Sequence, residues 1–433
     1  MSLSISTQER AKIFIPGITQ LLSKNPTRFS EGIWPSYFSK AKGAYVWDLD
    51  GEKYLDMSIS GIGACVLGYA DEDVDAAVCD AIHKGVATSL NCAEEVDLAE
   101  ELCTLHPWAE QVRFTRSGGE AMAVAVRLAR AKTDKSVVLF CGYHGWHDWY
   151  LSANIANESA LDNHLIAGLS PQGAPRELCG TAFPFAYNDT AELERLAEEH
   201  KDNLAAIVTE PIRNFEPTEA FLSSLRSTAD KYDVPLIVDE ISAGLRYNTG
   251  GAHLTFPGFE PDIAVFSKGL GNGYAIAAVI GKERVMRAAE YSFISSTNWT
   301  ERIGPVAALA TLKKHRELNA GDRLVALGTA VQEGWARLAR KYGLDIHVGG
   351  MKPMGHFSFE EEESVKNAYF IQLMLEQGFL AGESYYAMYA HTFEQVEQYL
   401  DATDVAFSAI ANTKDIMSKL VGKPTVSGFG RIA

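Results

Sequence analysis

The chain has 433 residues, 47% of them hydrophobic, which is enough for a large core divided over more than one lobe. Its 39 lysines and arginines stand against 56 aspartates and glutamates, and the resulting net charge of −17 excludes nucleic acid as the expected partner, because it repels a phosphate backbone. No apolar run approaches the roughly 20 residues of a membrane helix and the N-terminus has no signal-like apolar stretch, so we expect no membrane partner and a cytoplasmic location.

The six cysteines are scattered and form no CxxC pair. In a chain of this length such cysteines indicate reduced thiols, not a disulfide framework or a zinc site.

The first element predicted, in chain order, is a hairpin. The segment AYVWDLDGEKYLDM (44–57) contains two short strands around an Asp-Gly turn. Helical stretches near 71–85 and 93–105 follow it.

From about residue 112 strands and helices alternate. The apolar runs VVLFC (137–141), AAIVTE (205–210), PLIVDE (235–240) and IAVFSK (263–268) are typical of buried strands, and helices are predicted over 190–203 and 219–232. This alternation predicts an α/β fold with a parallel sheet covered on both faces. After about 310 long helical segments around HFSFE (356–360) indicate a smaller C-terminal lobe.

Polar signals fall where the strands end, and in open α/β sheets ligands bind outside the carboxyl ends of strands. The first is a turn of Ser117, Gly118 and Gly119 that runs into an alanine-rich helix. Glycine amides and a helix N-terminus would hold a phosphate. The alternative is a plain helix start with Ser117 as its N-cap.

The second signal is the segment GYHGWHDWY (142–150). His144 and His147, with Asp148 beside them, could suggest a metal site. Their spacing of three residues is weak evidence without a further ligand, so we expect no metal site. The aromatic residues are suited either to core packing or to contact with a planar ring.

The third and fourth signals are Asp239 and Lys268, each at the end of an apolar run. A carboxylate there requires a cation, such as a protonated pyridine nitrogen, unless it only caps a loop. A partly desolvated lysine becomes a nucleophile toward a carbonyl, unless it is a solvated loop residue. Pyridoxal phosphate (PLP) requires four such parts: a turn that binds its phosphate, an aromatic residue, an acid and a lysine. The chain has them in this order.

At this point the chain resembles the class III aminotransferases, in particular their glutamate-1-semialdehyde 2,1-aminomutase-like branch. The motifs that match, in chain order, are KGAYVWDLDGEKYLD, RSGGEA with RLAR, YHG, EP, DE with GLR, and SKGLGNGY. The resemblance implies the PLP-dependent transferase fold of type I, with a mainly parallel seven-stranded sheet in the large domain, a smaller α/β C-terminal domain, and a homodimer. The domains expected are an N-terminal segment (1–65) that joins the small domain, a large PLP-binding domain (66–310) and a C-terminal small domain (311–433).

The resemblance also implies roles for single residues. Lys268 would hold PLP as a Schiff base and shuttle protons, and Asp239 would pair with the pyridine nitrogen. The other cofactor-binding positions implied are Ser117, Gly118 and Gly119 at the phosphate, Tyr143 stacked on the ring with His144 beside it, Glu210 behind the ring, Ser242 near the 3-oxygen, and Thr300 given to the phosphate by the neighbouring subunit.

Some departures from the family pattern bear on the reaction. Gly119 replaces a usual threonine, and SSTNWTERIGP (295–305) differs from the corresponding run of true aminomutases while it resembles amino-sugar pathway enzymes. They favour an aminotransferase that moves an amino group from a donor such as glutamate to a carbonyl acceptor such as a keto- or aldehydo-sugar. The alternative is glutamate-1-semialdehyde 2,1-aminomutase. A binding protein that only keeps the fold is disfavoured by the intact Lys268 and Asp239.

Carboxylate recognition has one sequence candidate. Residues 342–429 contain no arginine that could grip a substrate carboxylate from the C-terminal domain. Arg28 in NPTRFSEG is therefore the expected substrate-binding residue, for the donor's carboxylate, with a plain surface position as the alternative.

Overall fold

The computed structural model describes residues 2–164 and 166–428. The described residues form two compact units, one made of Glu72–Gly321 and the other of residues 2–71 and 322–428. The sequence places the domain limits after residues 65 and 310, and the assignment of roles to the domains stays a prediction.

The strands, in chain order, are β1 (Phe38–Lys42), β2 (Tyr45–Asp48), β3 (Lys53–Asp56), β4 (Gln111–Thr115), β5 (Val137–Cys141), β6 (Ala182–Pro184), β7 (Leu204–Thr209), β8 (Leu236–Asp239), β9 (Ile263–Phe266), β10 (Ala277–Gly281), β11 (Ile346–Met351), β12 (Met354–Phe359), β13 (Phe379–Leu380) and β14 (Ser384–Tyr386). The α-helices are α1 (Leu3–Phe14), α2 (Glu72–Lys84), α3 (Glu94–Leu105), α4 (Gly118–Thr133), α5 (Asp148–Leu151), α6 (Ala153–Ala156), α7 (Thr190–Glu199), α8 (Glu219–Lys231), α9 (Glu283–Met286), α10 (Ile303–Glu317), α11 (Ala320–Tyr342), α12 (Glu363–Glu376) and α13 (Phe393–Asn412).

A seven-stranded sheet organises the unit made of Glu72–Gly321, in the order β4-β10-β9-β8-β7-β5-β6. The pairs from β9 to β6 are parallel, whereas β10 runs antiparallel to both β4 and β9. The mainly parallel seven-stranded sheet predicted from the sequence is confirmed. Strands β5, β7, β8, β9 and β10 are buried along their whole length, as expected of strands that are covered on both faces.

Alternation along β5 shows how the two faces are covered. Val138 and Phe140 pack in the core cluster that contains α4, while Val137 and Leu139 belong to the cluster that contains residues of α7 and α8. Successive side chains of a strand point to opposite faces, so a fully apolar strand packs against the helices on both faces of the sheet. Helices α7 and α8 are capped by Asp189 and Thr218, whose side chains accept hydrogen bonds from backbone amides three residues later.

Strands β7, β8 and β9 end one or two residues before the apolar runs predicted for them, whereas β5 matches its run. Strand β7 ends before Glu210, and β9 ends before Ser267, so that Lys268 opens a 3-10 turn (Lys268–Gly271). The polar residue that follows each strand leaves the hydrogen-bonded ladder. It therefore lies at the carboxyl edge of the sheet, where β9, β8, β7 and β5 are neighbours.

The other unit contains two small sheets, in the orders β1-β2-β3-β13 and β11-β12-β14. The predicted hairpin is present as antiparallel β2 and β3, and Asp48 Oδ1 accepts hydrogen bonds from the amides of Asp50 and Glu52 in its turn. The HFSFE segment lies in β12, between α11 and α12. Among the described residues, no helix has the length and apolar character needed to cross a membrane.

Candidate active site

Lys268 lies just beyond β9 in a left-handed backbone conformation, with φ at +44°. This conformation is uncommon for a residue with a side chain and is held here by the glycine-rich turn that follows. Its Nζ donates a hydrogen bond of 2.6 Å to Ser242 Oγ. Burial, together with the positive charge of Arg213, lowers the pKa of Lys268 to about 8 against the opposing effect of Glu210 and Asp239. A lysine with this pKa has a substantial neutral fraction near neutral pH and is a usable nucleophile.

Asp239 is the last residue of β8 and is buried, with His144 buried against it. Asp239 Oδ2 lies 2.8 Å from His144 Nδ1, and its Oδ1 accepts from the amide of Ile241 at 3.0 Å. His144 Nε2 faces the carbonyl oxygen of Cys141 at 3.1 Å. Both ring nitrogens of His144 thus face oxygen atoms, one of Asp239 and one of Cys141.

Glu210 follows β7 and is buried in a network that joins it to the lysine. Its Oε2 accepts from the amide of Tyr143 at 3.1 Å, and its Oε1 lies 2.5 Å from Arg213 Nη1. The same Arg213 nitrogen donates to Ser242 Oγ at 3.2 Å, so the hydroxyl that binds Lys268 also binds this guanidinium. Arg213 therefore belongs to the site.

Sequence reasoning missed Arg213. The signal was available in EPIRN (210–214), where a cation follows a buried strand-end acid by three residues. An acid in that position requires a partner, and the nearest cation in the chain supplies it.

Gly142 explains how the backbone approaches Glu210 so closely. Its φ is +115°, and a Cβ on it would stand 2.6 Å from Glu210 Oε2. Only glycine meets both conditions. The neighbouring Tyr143 ring packs edge-on against Tyr150 at a centroid distance of 5.9 Å, and burial raises the pKa of Tyr143.

Gly118 and Gly119 are the first two residues of α4, and Ser117 is its N-cap. Glu120 Oε2 accepts from the amides of Arg116 and Ser117 at 3.1 and 3.0 Å, so the N-cap position given as the alternative for Ser117 is present, and phosphate binding at the turn stays a prediction. A Cβ on Gly118 would lie 2.8 Å from Ile241 Cδ1, and one on Gly119 would lie 2.9 Å from the ring of His147. The turn is thus packed against the loops that follow β8 and β5.

Strand β4 is antiparallel to β10, which is antiparallel to β9, so the carboxyl ends of β4 and β9 lie at the same edge. The structure therefore gathers one group of predicted residues at one edge of one sheet: Ser117, Gly118, Gly119, Tyr143, His144, Glu210, Asp239, Ser242 and Lys268.

The two remaining predicted residues have contacts of their own. Thr300 ends the 3-10 turn Thr297–Thr300 and donates through Oγ1 to the carbonyl of Thr297 at 3.1 Å. Arg28 lies in the other unit, where it donates to the carbonyl of Val426 at 3.2 Å and lines a small pocket with Glu363 and Glu383. The carboxylate of Glu383 has a raised pKa because burial outweighs the opposing charge of Arg28.

A cavity of about 680 Å³ lies beside β5, β6 and β7. Glu210 and Arg213 line it, together with Asn163, His164 and Tyr187. Within residues 2–164 and 166–428, no group of three or more His, Cys, Asp or Glu side chains has an arrangement that could hold a metal ion.

Comparison with known proteins identifies the family. Residues 30–404 match the family model described as aminotransferase class-III, so the chain belongs to that family. It is 31% identical to 3-aminobutyryl-CoA aminotransferase of Cloacimonas acidaminovorans over 93% of this chain and 96% of that protein. It is 30% identical to 2'-deamino-2'-hydroxyneamine transaminase of Streptomyces kanamyceticus (88% and 92% covered) and to glutamate-1-semialdehyde 2,1-aminomutase of Francisella tularensis (90% and 94% covered).

Among solved structures, the PLP internal aldimine form of the FumI protein of Sphingopyxis sp. MTA144 superposes with a TM-score of 0.86 and 25% identity, with 98% of each chain covered. The chain is thus a PLP-dependent aminotransferase of fold type I, and the family resemblance found in the sequence is confirmed.

The site fits this cofactor on its own chemistry. It offers a buried carboxylate for a pyridine nitrogen, a lysine of lowered pKa for an aldehyde, and a glycine turn at a helix N-terminus for a phosphate. A side chain at Gly142, Gly118 or Gly119 would collide with Glu210, Ile241 or His147, so these positions require glycine.

Proposed function

We propose that this enzyme transfers an amino group from a donor such as glutamate to a carbonyl acceptor such as a keto- or aldehydo-sugar. The observation that carries the proposal is the convergence of Lys268 and Asp239 at the ends of neighbouring strands β9 and β8. The Streptomyces relative, named for a hydroxyneamine derivative, supports a sugar-type acceptor. Bound PLP supplies an electron sink for the bonds that break at the amino-bearing carbon of the substrate.

In this proposal Lys268 holds the cofactor covalently through its aldehyde carbon. When it is free, the Lys268 amine would hold and move the proton of the substrate's amino-bearing carbon. Ser242 Oγ, 2.6 Å from Nζ, orients that amine, and the nearby charge of Arg213 keeps part of it neutral. A neutral amine is required for both tasks.

Asp239 would hold the proton on the pyridine nitrogen. His144 supports it as a positioning residue, because its ring bridges Asp239 to the carbonyl of Cys141 and so fixes the carboxylate at the end of β8. Because Asp239 and His144 are both buried, the carboxylate lies in a medium of low dielectric, where its effect on the cofactor would be strong.

The phosphate would lie at the turn of Ser117, Gly118 and Gly119, with Tyr143 against the ring and Glu210 behind it. Glu120 occupies the amides of residues 116 and 117, which leaves the next amides of α4 directed at an anion. Thr300 would come to this phosphate from a second copy of the chain, and the enzyme would be a homodimer.

Two arginines are candidates for a substrate carboxylate. The substrate-binding role of Arg28 stays a prediction, and two carboxylates share its pocket. Arg213 has a direct place in the site: its guanidinium binds the hydroxyl next to Lys268 and lines the cavity of about 680 Å³. We propose Arg213 as the second candidate. Arg28→Ala and Arg213→Lys, compared side by side, should show which of them raises the Michaelis constant of the donor.

The reaction is tested by following the two half-reactions separately. Glutamate alone should convert the cofactor and release one equivalent of 2-oxo acid per site, and a keto-sugar added afterwards should restore the original absorbance. The aminomutase function, favoured by the 30% identity with the Francisella enzyme, predicts a different result. Glutamate-1-semialdehyde alone would then turn over completely, and no stoichiometric 2-oxo acid would be released from glutamate.

A further inference from the structure

The glycine at position 119 leaves a specific gap in the phosphate turn. The family resemblance implies a threonine there, whose hydroxyl would be available to the phosphate. In this chain the space is filled from another element. A Cβ on Gly119 would stand 2.9 Å from both Cε1 and Nδ1 of the His147 ring.

The imidazole of His147 has a buried nitrogen atom that makes no hydrogen bond with the described residues. This atom is Nδ1, which is shielded from solvent. A polar atom that loses water without gaining a partner is destabilising, so such an atom indicates a ligand that completes it.

The ring is also held in place. The Trp146 indole packs on it at a centroid distance of 4.4 Å, and the carbonyl of His147 accepts from the amides of Tyr150 and Leu151, which fixes the residue at the start of α5. Gly145 approaches the turn as well, since a Cβ on it would lie 3.2 Å from Gly119 Cα. The loop after β5 and the turn before α4 are thus fitted to each other.

We propose that His147 replaces the missing hydroxyl at position 119 by donating a hydrogen bond from Nδ1 to the phosphate group of PLP. This inference rests on the proposed function, in which the turn of Ser117–Gly119 holds that phosphate. Burial lowers the pKa of His147. In its neutral or its charged form the ring can carry an N–H at Nδ1, and the phosphate would accept from it.

Cofactor binding to the apoenzyme tests the proposal, with PLP compared to pyridoxal, which lacks the phosphate. His147→Ala should weaken PLP about tenfold or more, the usual effect of losing a hydrogen bond to a charged group, and should leave pyridoxal binding unchanged. His147→Gln keeps a donor and should recover part of the loss. Dissociation constants come from the quenching of tryptophan fluorescence, and thermal melts of each apoenzyme show that the variants are folded.

A second pair of variants tests the exchange of the two side chains. Gly119→Thr alone should weaken PLP because the new side chain meets the His147 ring. The double variant Gly119→Thr with His147→Ala should bind PLP more tightly than either single variant, since the hydroxyl returns to a site that now has room for it. Additive losses in the double variant would contradict the proposal.

Two further results distinguish the role of His147 from the proposed position of the phosphate at the turn. Equal losses of PLP and pyridoxal in His147→Ala would show a purely structural role for the ring and overturn the proposal. Gly118 lies in the same turn as Gly119, and the Cβ of Gly118→Ala would collide with Ile241. This variant should change the ratio of PLP to pyridoxal affinity if the turn holds the phosphate. If that ratio changes in Gly118→Ala but not in His147→Ala, only the role of His147 is wrong. If neither variant changes it, the phosphate lies elsewhere.

Discussion

At the scale of single residues, the reactivity of Lys268 depends on its surroundings. Burial and Arg213 lower its pKa to about 8, and only the neutral amine attacks a carbonyl. The rate at which apoenzyme captures PLP should therefore rise with pH and reach half its maximum near pH 8, since below that value the amine is protonated.

Arg213→Met gives this prediction a direction. Removing the guanidinium removes a charge that lowers the pKa of Lys268, so the midpoint of the rate profile should move to higher pH. Rapid-mixing absorbance measurements over a pH series check both midpoints. A wild-type midpoint near the ordinary lysine value of about 10.4 would contradict the site as described.

The charge of Asp239 gives a second prediction at this scale. Asp239→Asn keeps the shape of the side chain but removes the partner of a pyridinium, so turnover should fall by several orders of magnitude, on the order of 3–5 kcal/mol in the barrier. Asp262→Asn is the matched control: that carboxylate is also buried, but it lies at the start of β9, where Arg226 and Arg284 bind it. The control should lose stability in a thermal melt and keep its turnover per folded enzyme.

At the scale of elements, the junction after β5 depends on one glycine. Gly142→Ala adds backbone strain at φ +115° and also places a Cβ 2.6 Å from Glu210 Oε2. It should displace Glu210 and weaken the bound cofactor. Gly85→Ala has nearly the same strain, at φ +98°, with no atom within 4 Å of the new Cβ.

Both glycine variants should lose about 1–2 kcal/mol of stability from the left-handed conformation. Only Gly142→Ala should alter the visible circular dichroism of the bound cofactor. Equal spectra in the two variants would mean that the contact between Gly142 and Glu210 does not shape the site.

The elements also show what the sequence could and could not provide. Strand β5 was predicted to the residue, because a fully apolar run between polar ends has no alternative register. Strand β9 was predicted two residues too long, because the amino acid types of Ser267 and Lys268 do not reveal that the chain turns there. The antiparallel β10 could not be inferred from apolar character alone, which is the same in either direction.

The candidate site follows the same division. Lys268 and Asp239 were found because a charge at the end of an apolar strand is costly without a purpose. Arg213 was missed because its role depends on a side-chain contact with Glu210 that no spacing encodes. The packing of His147 against Gly119 joins two separate segments of the sequence, and it is visible only in the folded structure.

At the scale of the whole molecule, the account predicts a homodimer with sites that share Thr300. Several large apolar side chains are exposed on the unit that contains Lys268, among them Leu90 at 82% and Phe293 at 86% exposure. A second copy of the chain would cover such residues, and light scattering should find two chains per particle.

Mixed dimers test whether Thr300 acts across the subunits. One protomer carries Lys268→Ala and the other Thr300→Ala, with different tags that allow the mixed dimer to be purified. If Thr300 serves the partner's site, both changes fall on one site and the other is fully wild type. At limiting PLP the mixed dimer should then have about half of the wild-type activity. If Thr300 serves its own chain, no intact site exists, and activity should fall to the level of the two single-variant dimers.

The central claim, that Lys268 holds PLP for amino transfer, is tested most directly by borohydride reduction of the holoenzyme, which fixes the cofactor on the lysine that carries it. After digestion, mass spectrometry should find one pyridoxyl group per chain, on the peptide that contains Lys268. The label should be absent from that peptide in Lys268→Ala. A label on another lysine, or a reduced wild-type enzyme with no label, would contradict the account.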